Sequence, residues 1–306
     1  MAKKGYTVAL ISMEEKDKLL DNLPEYFTSC KAYIHGLCVE LVTDDKCFKE
    51  MWQDNFSGIS DTIRPHCRVI SLTNHEYGDT TVLYEQTSNT VFLYNCGYYG
   101  YVKSLALAVA GDFMEDYHSI HGRFSVHGSC IDFEGRGIGI IAPSGSGKTT
   151  LSYGLLLSKN AKLVSDDWFY VQTTLSDVVA FASEKNNYIR EDIGDNWEIF
   201  KKLVDSAQLD GEQRAVVDLS LALGKMKTRE NTILKSLVLL KRDDGDPENL
   251  RKITVDEAVK FLLKHDFCNP HQLVRTGYKM KLREDFFRKM FEKVNVYILN
   301  TFHEGP

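Results

Sequence analysis

The chain has 306 residues, of which 43% are hydrophobic and 26% are charged, proportions that are typical of a globular protein with a core of useful size. Its net charge of −6 argues against nucleic acid as the main partner, because binding to a phosphate backbone requires a clustered basic surface. The sequence contains no signal peptide and no run of about 18 apolar residues, so we expect a cytoplasmic protein with no membrane partner.

The chain contains seven cysteines, an odd number with no C-x-x-C pair and no cluster with histidine at zinc-binding spacing. We therefore expect reduced thiols, most of them buried as small hydrophobic side chains. The cysteines are Cys30, Cys38, Cys47, Cys67, Cys96, Cys130 and Cys268.

The first third of the chain opens with a predicted strand over residues 6–12, followed by a helix that Pro24 interrupts. Two strand-rich runs, TTVLYEQ and TVFLYNC, then flank residues 87–89, whose turn-forming side chains predict a β-hairpin. Residues 101–117 place apolar side chains on one broad face and predict a helix that packs on the core.

A second hairpin is predicted just before a glycine-rich segment. The sequence FSVHGSCIDFEGRGIGIIAP contains two short strand runs on either side of Glu134-Gly135. The strand that enters the glycine-rich segment should therefore pair antiparallel with the strand before it, whereas ordinary P-loop proteins use a single buried parallel strand. After the segment, TTLSYGLLLSKN predicts a helix, and KLVSDDWFYVQ predicts one strand with two adjacent aspartates.

The rest of the chain is assigned less completely. Residues 183–223 are charged and weakly periodic, and only a helix near residues 197–204 is predicted there. Beyond them, TILKSLVLLKRD predicts a core strand, ITVDEAVKFLLKH a helix capped by Thr254 or Asp256, and VNVYILNT a final strand. Residues 279–293 mix both charges at helical spacing, which favours a solvated amphipathic helix.

The segment IAPSGSGKTTL matches the phosphate-binding pattern G-x-x-x-x-G-K-[ST] except at its first glycine, where Ala142 stands. Glycines in this pattern let consecutive backbone N–H groups surround an anion, and the next helix directs its positive end there. Lys148 is expected to reach the β- and γ-phosphates of ATP, and Thr149 to bind Mg²⁺. The other expected nucleotide contacts of the loop are Ser144, Gly145, Ser146, Gly147 and Thr150.

Two adjacent acids, Asp166 and Asp167, follow on the next predicted strand. Neighbouring side chains on a strand point to opposite faces, so the two carboxylates can have different functions. One can orient Mg²⁺, and the other can accept a proton from an attacking hydroxyl. The competing interpretation is an exposed turn with a capping role, and the sequence leaves open which acid has which function.

The run VHGSCIDFEGRGIGIIAPSGSGKTTL, followed by LVSDD, resembles the catalytic core of the HPr kinase/phosphorylase family, which is similar at its nucleotide site to phosphoenolpyruvate carboxykinases. The resemblance is densest over residues 126–168. It implies an α/β fold with a phosphoenolpyruvate carboxykinase-like P-loop core on a mixed β-sheet over residues 119–306. A smaller α/β N-terminal region over residues 1–118, which is expected to bind the acceptor substrate or a partner, would precede this core.

The resemblance also implies a catalytic group. It consists of His127, Lys148, Asp166 and Asp167, of which His127 and one of the two aspartates would lie near the transferred phosphoryl group. A lone histidine is more often structural than catalytic, and only the resemblance raises His127 above that interpretation.

The segment SEKNNYIRED loosely resembles the family's Glu and Arg segment. It implies that Glu184 binds metal together with Thr149 and Asp166, and that Arg190 contacts a nucleotide phosphate. Surface salt bridges are an equally good interpretation of Glu184 and Arg190. The glycine-rich signature that follows this segment in the bifunctional enzymes is absent, so phosphorolysis stays open.

Together these patterns predict a kinase that uses ATP and Mg²⁺ to phosphorylate a hydroxyl, with a serine of a peptide or protein, or a small molecule, as the favoured acceptor. Arg275, Lys279 and Arg283 are candidate acceptor contacts, although a solvated helix face is the preferred interpretation. Two alternatives stay open: an ATP-binding or ATPase module that regulates a partner, and a carboxykinase-like phosphotransferase. The acceptor's identity, a donor other than ATP and a homo-oligomeric state are open as well.

Overall fold

Residues 6–302 are described by a computed structural model, except for the side chains of residues 192 and 195. The chain folds as a mixed α/β structure with mixed β-sheets. Its strands are β1 (Val8–Leu10), β2 (Thr28–Ile34), β3 (Leu37–Thr43), β4 (Ser57–Gly58), β5 (Cys67–Leu72), β6 (Thr81–Glu85), β7 (Thr90–Tyr94), β8 (Arg123–His127), β9 (Ser129–Phe133), β10 (Arg136–Ile141), β11 (Ala161–Ser165), β12 (Trp168–Thr173), β13 (Val178–Ala182), β14 (Asn186–Ile189), β15 (Gln208–Leu209), β16 (Ala215–Asp218), β17 (Asn231–Lys241), β18 (Leu250–Lys252) and β19 (Asn295–Asn300). Its helices are α1 (Met13–Asp21), α2 (Lys46–Asn55), α3 (Tyr99–Tyr117), α4 (Lys148–Leu156), α5 (Glu191–Asn196), α6 (Glu198–Ser206), α7 (Leu219–Ala222), α8 (Val255–Lys264) and α9 (Gly277–Phe291).

The first seven strands form one sheet in the order β1-β6-β7-β5-β3-β2-β4. Strands β7, β5 and β3 run parallel, and the flanking pairs β6/β7 and β3/β2 are antiparallel. The predicted hairpin is confirmed as β6 and β7, and Asn89 at its turn adopts the left-handed conformation that asparagine tolerates. The predicted opening strand is confirmed but is limited to the three residues of β1, and α1 ends before Pro24.

Helix α3 lies between this sheet and the second one, and it confirms the helix predicted over residues 101–117. It contacts β5 on one side and β8 on the other, which explains why its apolar side chains surround most of its circumference. Gly111 permits the close approach to β8, since a Cβ there would lie 2.4 Å from the Ser125 hydroxyl oxygen. Both sheets therefore share one central helix.

The second sheet carries the glycine-rich segment. Its strands follow the order β11-β9-β10-β17-β13-β12-β8, and β19 pairs with both β17 and β18. The predicted second hairpin is confirmed: β9 and β10 are antiparallel, and Glu134 and Gly135 at the turn both have positive φ angles. Strand β10 also pairs parallel with β17, so the strand that enters the loop has an antiparallel neighbour on one side and a parallel neighbour on the other.

The prediction of a single strand through KLVSDDWFYVQ is wrong. The chain forms β11 and β12, which occupy distant positions in the sheet, and Asp166 and Asp167 lie in the bend between them. The bend is held by hydroxyl groups that replace ladder hydrogen bonds: Ser129 Oγ donates to the Asp166 carbonyl at 2.6 Å, and Ser165 Oγ donates to the Trp168 carbonyl. The strand-alternation argument for two opposite faces therefore does not apply to these acids.

The C-terminal elements largely follow the sequence. Helix α6 lies where a helix near residues 197–204 was predicted, and β17 and β19 are the predicted strands. Thr254 rather than Asp256 caps α8, because its hydroxyl accepts from the backbone N–H of Glu257, whose carboxylate accepts in return from the Thr254 backbone N–H. The segment left unassigned contains β14, β16 and β15, which form a small antiparallel sheet.

The preferred interpretation of residues 279–293 as a solvated helix is wrong for two of its cations. The side chains of Lys279 and Arg283 are 1% and 6% exposed. Lys279 Nζ lies 3.1 Å from Asp112 Oδ1, and Arg283 forms two hydrogen bonds with the Glu115 carboxylate at 2.7 and 2.9 Å. These pairs join α9 to α3, which explains the burial of the two cations. Arg275 pairs instead with Asp266 at a more exposed position.

The hydrophobic core crosses the predicted boundary between residues 118 and 119. Trp168, Tyr170, Leu273 and Val274 pack in one cluster with buried side chains of the first sheet and α3. Residues 1–5 and 303–306 of the two predicted regions lie outside the described residues. In the described part of the chain, no helix is long and apolar enough to cross a membrane.

All seven cysteines are free thiols, as the sequence predicts. Five of them are buried, Cys96 is half-buried and Cys47 is exposed.

Candidate functional site

The glycine-rich loop connects the C-terminal end of β10, an interior strand of the second sheet, to α4. Gly145 and Gly147 have φ angles of +80° and +91°, a region in which side chains are disfavoured, so these two glycines are required by the backbone. Ala142 has no such angle, and its methyl group packs with Ile140 and Leu240 in a small apolar cluster. The replacement of the pattern's first glycine by alanine is therefore compatible with the loop.

The loop residues predicted to contact nucleotide surround the N-terminus of α4. Ser144 and Gly145 are exposed, Ser146 is buried, and residues 147–150 are half-buried. Thr301, which directly follows β19, donates a hydrogen bond to the Ser146 carbonyl at 3.2 Å and thereby supports the loop. The unpaired N–H groups of the first helical turn make this end suited to an anion.

Lys148, the first residue of α4, makes the central contact of the site. Its Nζ lies 2.8 Å from Asp167 Oδ1, and the same oxygen lies 3.5 Å from His127 Nε2. The Asp167 side chain is 41% exposed, whereas those of Lys148 and His127 are 12% and 9% exposed. The structure thus brings together three of the predicted catalytic residues, with the carboxylate as the most accessible one.

The bend at Asp166 and Asp167 is fixed by the β8–β9 connection. The backbone N–H of Gly128 donates to the Asp167 carbonyl at 2.9 Å, next to the hydrogen bond from Ser129 to the Asp166 carbonyl. Ser129 Oγ in turn accepts from Ser152 Oγ of α4 at 2.8 Å. The histidine, the acid pair and the glycine-rich loop with α4 are therefore parts of one connected unit.

The pKa values of the two acids shift in opposite directions. Partial burial alone would raise the pKa of Asp167, but the positive charges of Lys148 and Lys103 hold it well below its ordinary value. Burial, together with the negative charges of Asp167 and Glu184, raises the pKa of Asp166 to about 7. Asp167 is thus ionised at neutral pH, while Asp166 is close to half-protonated.

His127 is neutral at this position. Burial, followed by the charge of Lys148, lowers its pKa to about 4. Its Nδ1 lies 2.7 Å from the Cys268 carbonyl oxygen, which can only accept, so Nδ1 carries the proton. Nε2 therefore presents a lone pair toward Asp167, where it can accept a proton or a hydrogen bond.

Asp166 is buried behind this group. Tyr153 of α4 donates a hydrogen bond to Asp166 Oδ2 at 3.3 Å. Asp166 and Asp167 therefore differ in access as well as in pKa. Asp167 faces outward, and Asp166 faces the interior between α4 and the sheet.

Glu184, which follows β13, is held by two residues that the sequence analysis did not single out. Lys103 Nζ of α3 lies 3.0 Å from Glu184 Oε1, and Asn55 Nδ2 donates to Glu184 Oε2 at 2.9 Å. Burial alone would lower the pKa of Lys103, but Glu184 and Asp167 raise it above its ordinary value. The interpretation of Glu184 as part of a surface salt bridge is wrong, because both side chains of the pair are 4% exposed.

Arg190 ends the segment after β14 and immediately precedes α5. Its side chain is exposed.

The chain matches none of the protein-family models and none of the curated proteins with which it was compared.

The predicted metal ligands fit Mg²⁺ by chemistry. The hydroxyl of Thr149 and the carboxylates of Asp166 and Glu184 are hard oxygen donors, and a cation would offset the burial and the neighbouring negative charges that raise the pKa of Asp166. Within residues 6–302, no three His, Cys, Asp or Glu side chains are already gathered in a metal-binding arrangement. A metal would thus draw on the loop hydroxyl and on nucleotide oxygens in addition to the acids.

Proposed function

We propose that the protein is a kinase that transfers the γ-phosphoryl group of ATP to a hydroxyl. The observation that carries the proposal is the contact of 2.8 Å between Lys148 of the phosphate loop and the exposed carboxylate of Asp167. The contact supports the proposal because Asp167 would then be a proton acceptor beside the position that a terminal phosphate takes in a loop of this type. The neutral imidazole of His127 adjoins the same carboxylate oxygen.

Each residue has a defined part in the reaction. Lys148 exchanges its contact with Asp167 for the β- and γ-phosphates, which frees the carboxylate. The acceptor's hydroxyl oxygen then attacks the γ-phosphorus, the bond to the β-phosphate oxygen breaks, and ADP leaves with that electron pair. Asp167 takes the hydroxyl proton and can share it with the lone pair of His127 Nε2. Positioning and charge supply most of the catalysis in such a transfer.

Thr149, Asp166 and Glu184 are the residues that would hold Mg²⁺. When bound, Mg²⁺ neutralises charge on the β- and γ-phosphate oxygens. Asp166 is better suited to binding Mg²⁺ than to accepting a proton, because its side chain is buried and hydrogen-bonded to Tyr153. The structure therefore favours Asp167 as the base, a choice that the sequence left open.

The proposal includes the finer fold. We infer a phosphoenolpyruvate carboxykinase-like P-loop core of the HPr kinase type over residues 119–306, preceded by the smaller α/β region of residues 1–118. Two features support it: the antiparallel hairpin β9/β10 that leads into the loop, and the position of His127 beside Asp167. Arg190 as a phosphate contact remains part of the same proposal.

The acceptor is proposed to be a serine of a peptide or protein, or a small molecule, and a comparison of phosphorylated products identifies it. Phosphopeptides and phosphorylated metabolites are measured in cells that express the wild-type chain and in cells that express Lys148→Ala. We expect phosphomonoesters that are present only with the wild type. Equal product sets, together with ATP hydrolysis by the purified wild type, would instead favour an ATPase module.

A further inference from the structure

Two buried residues of the N-terminal region contact the acid cluster of the proposed active site, which consists of Asp166, Asp167 and Glu184. Lys103 of α3 and Asn55 at the end of α2 each contact one oxygen of the Glu184 carboxylate, at 3.0 and 2.9 Å. The other residues of the site, from His127 to Glu184, lie in the following part of the chain. Both oxygens of the Glu184 carboxylate are therefore contacted by side chains from the N-terminal part of the chain.

The contacts of Asn55 extend to the backbone after Glu184. Its carbonyl oxygen accepts from the Lys185 N–H at 2.9 Å, and its side-chain oxygen accepts from the Asn186 N–H at 3.1 Å. Asn55 is completely buried. It thereby fixes both the carboxylate of Glu184 and the start of β14.

Lys103 is equally constrained. Its Nζ lies 4.5 Å from the centre of the Tyr188 ring in addition to its contact with Glu184, and its side chain is 4% exposed. A lysine enclosed in this way cannot follow a ligand out of its position. In this respect it differs from Lys148, which is the cation of the phosphate loop.

The charge balance explains why a fixed cation is needed. Asp166, Asp167 and Glu184 supply three carboxyl groups, and Lys148 and Lys103 are the two lysines whose charges act on the acid pair. When nucleotide phosphates draw Lys148 away, Lys103 is the lysine that stays beside the carboxylates. Without Lys103, the Glu184 side chain would turn away from Asp166 and Asp167 more easily.

We propose that Lys103 and Asn55 are positioning residues that hold Glu184 in its orientation for Mg²⁺·ATP. This inference rests on the proposed function. The N-terminal region then forms part of the nucleotide and metal end of the site, rather than serving only as an acceptor-binding region.

The test measures ATP affinity of the full chain by calorimetry, once with Mg²⁺ and once with EDTA. Lys103→Gln keeps a hydrogen-bond donor but removes the charge. We expect it to reduce the gain in ATP affinity that Mg²⁺ provides by about tenfold, as for other residues that orient a metal ligand, with little change in EDTA. Lys103→Arg, which keeps the charge, should restore part of the gain.

A double variant separates positioning from general stability. If Lys103 acts through Glu184, then Lys103→Gln combined with Glu184→Gln should lose no more Mg²⁺-dependent affinity than Glu184→Gln alone. Additive losses would overturn the proposal, as would a full Mg²⁺ effect in Lys103→Gln. Should Lys103→Gln fail to fold, Asn55→Ser removes the second contact and must reduce the Mg²⁺ effect in the same direction.

Lys279→Gln is the matched control, because Lys279 is another buried lysine but pairs with acids of α3 outside the acid cluster. It should lower the unfolding temperature and leave the Mg²⁺ effect intact; a reduced Mg²⁺ effect in this control would overturn the inference. Wild-type protein that binds ATP equally well with Mg²⁺ and with EDTA would count against the proposed function itself. That result is distinct from the failure of Lys103→Gln alone.

Discussion

At the scale of single residues, Asp166 and Asp167 show how two neighbouring carboxylates acquire different chemistry. Asp167 is accessible and is paired with Lys148, which keeps it ionised. Asp166 is buried beside two other acids, which raises its pKa to about 7. The bend between β11 and β12 creates this difference, because it turns one side chain outward and the other inward.

The raised pKa of Asp166 predicts a cost in stability. Its pKa is about 7 in the folded chain against an ordinary value of 3.8, so the folded state binds more protons between these values and stability falls as the pH rises through this window. Asp166→Asn removes the ionisation and retains an acceptor for Tyr153. The variant should therefore be more stable than wild type at about pH 8, by on the order of 2 kcal/mol, and this difference should shrink toward pH 4.

Urea unfolding in EDTA at the two pH values measures this difference. An equal stability difference at both values would show that Asp166 ionises in the ordinary range. The same variant should lose the Mg²⁺-dependent gain in ATP affinity, as expected for a stabilising change at a functional site.

At the scale of elements, the connection between β8 and β9 determines the position of the acid pair. A Cβ on Gly128 would lie 2.7 Å from the Ile140 carbonyl oxygen and 3.1 Å from the Phe169 ring. Both neighbours belong to strands that border the site, so the clash would move either β10 or β12.

Gly128→Ala should destabilise the protein by about 1–3 kcal/mol, as overpacking in a core does, and should also reduce phosphoryl transfer. Thermal unfolding and a transfer assay measure the two effects. Gly277→Ala is the control, since a Cβ there meets no atom within 4 Å and the residue begins α9. Full activity in Gly128→Ala would mean that this connection does not position the acids.

At the scale of the whole molecule, the two parts of the chain share one core. Trp168 and Tyr170 pack against the first sheet and α3, and Lys279 and Arg283 find their partners on α3. A fragment of residues 119–306 would expose the apolar side chains and leave two cations without these carboxylates.

We therefore predict that the fragment does not fold alone, whereas the full chain unfolds in a single cooperative transition. Circular dichroism during heating measures both. Co-expression with residues 1–118 should restore folding. A cooperative transition of the isolated fragment would contradict the shared core.

The sequence predicted the features that depend on local pattern. The glycine-rich loop and its hairpin follow from glycine positions and strand-forming residues that lie close together in the chain. The bend at Asp166 was missed because a hydroxyl from Ser129 stabilises it, and the burial of Arg283 was missed because its partner Glu115 is 168 residues away. Lys103 did offer a signal, since a lone lysine in an apolar helix requires a buried partner.

Label transfer by purified protein tests the central claim most directly. The γ-phosphoryl-labelled ATP is incubated with Mg²⁺ and an extract of cells that contains both proteins and metabolites, using wild type, Lys148→Ala and Asp167→Asn. We predict acid-stable label in a phosphomonoester with wild type only, and we expect Asp167→Asn still to bind ATP because Lys148 remains. Label found solely in inorganic phosphate, or equal transfer by Asp167→Asn, would contradict an Asp167-assisted transfer to a hydroxyl.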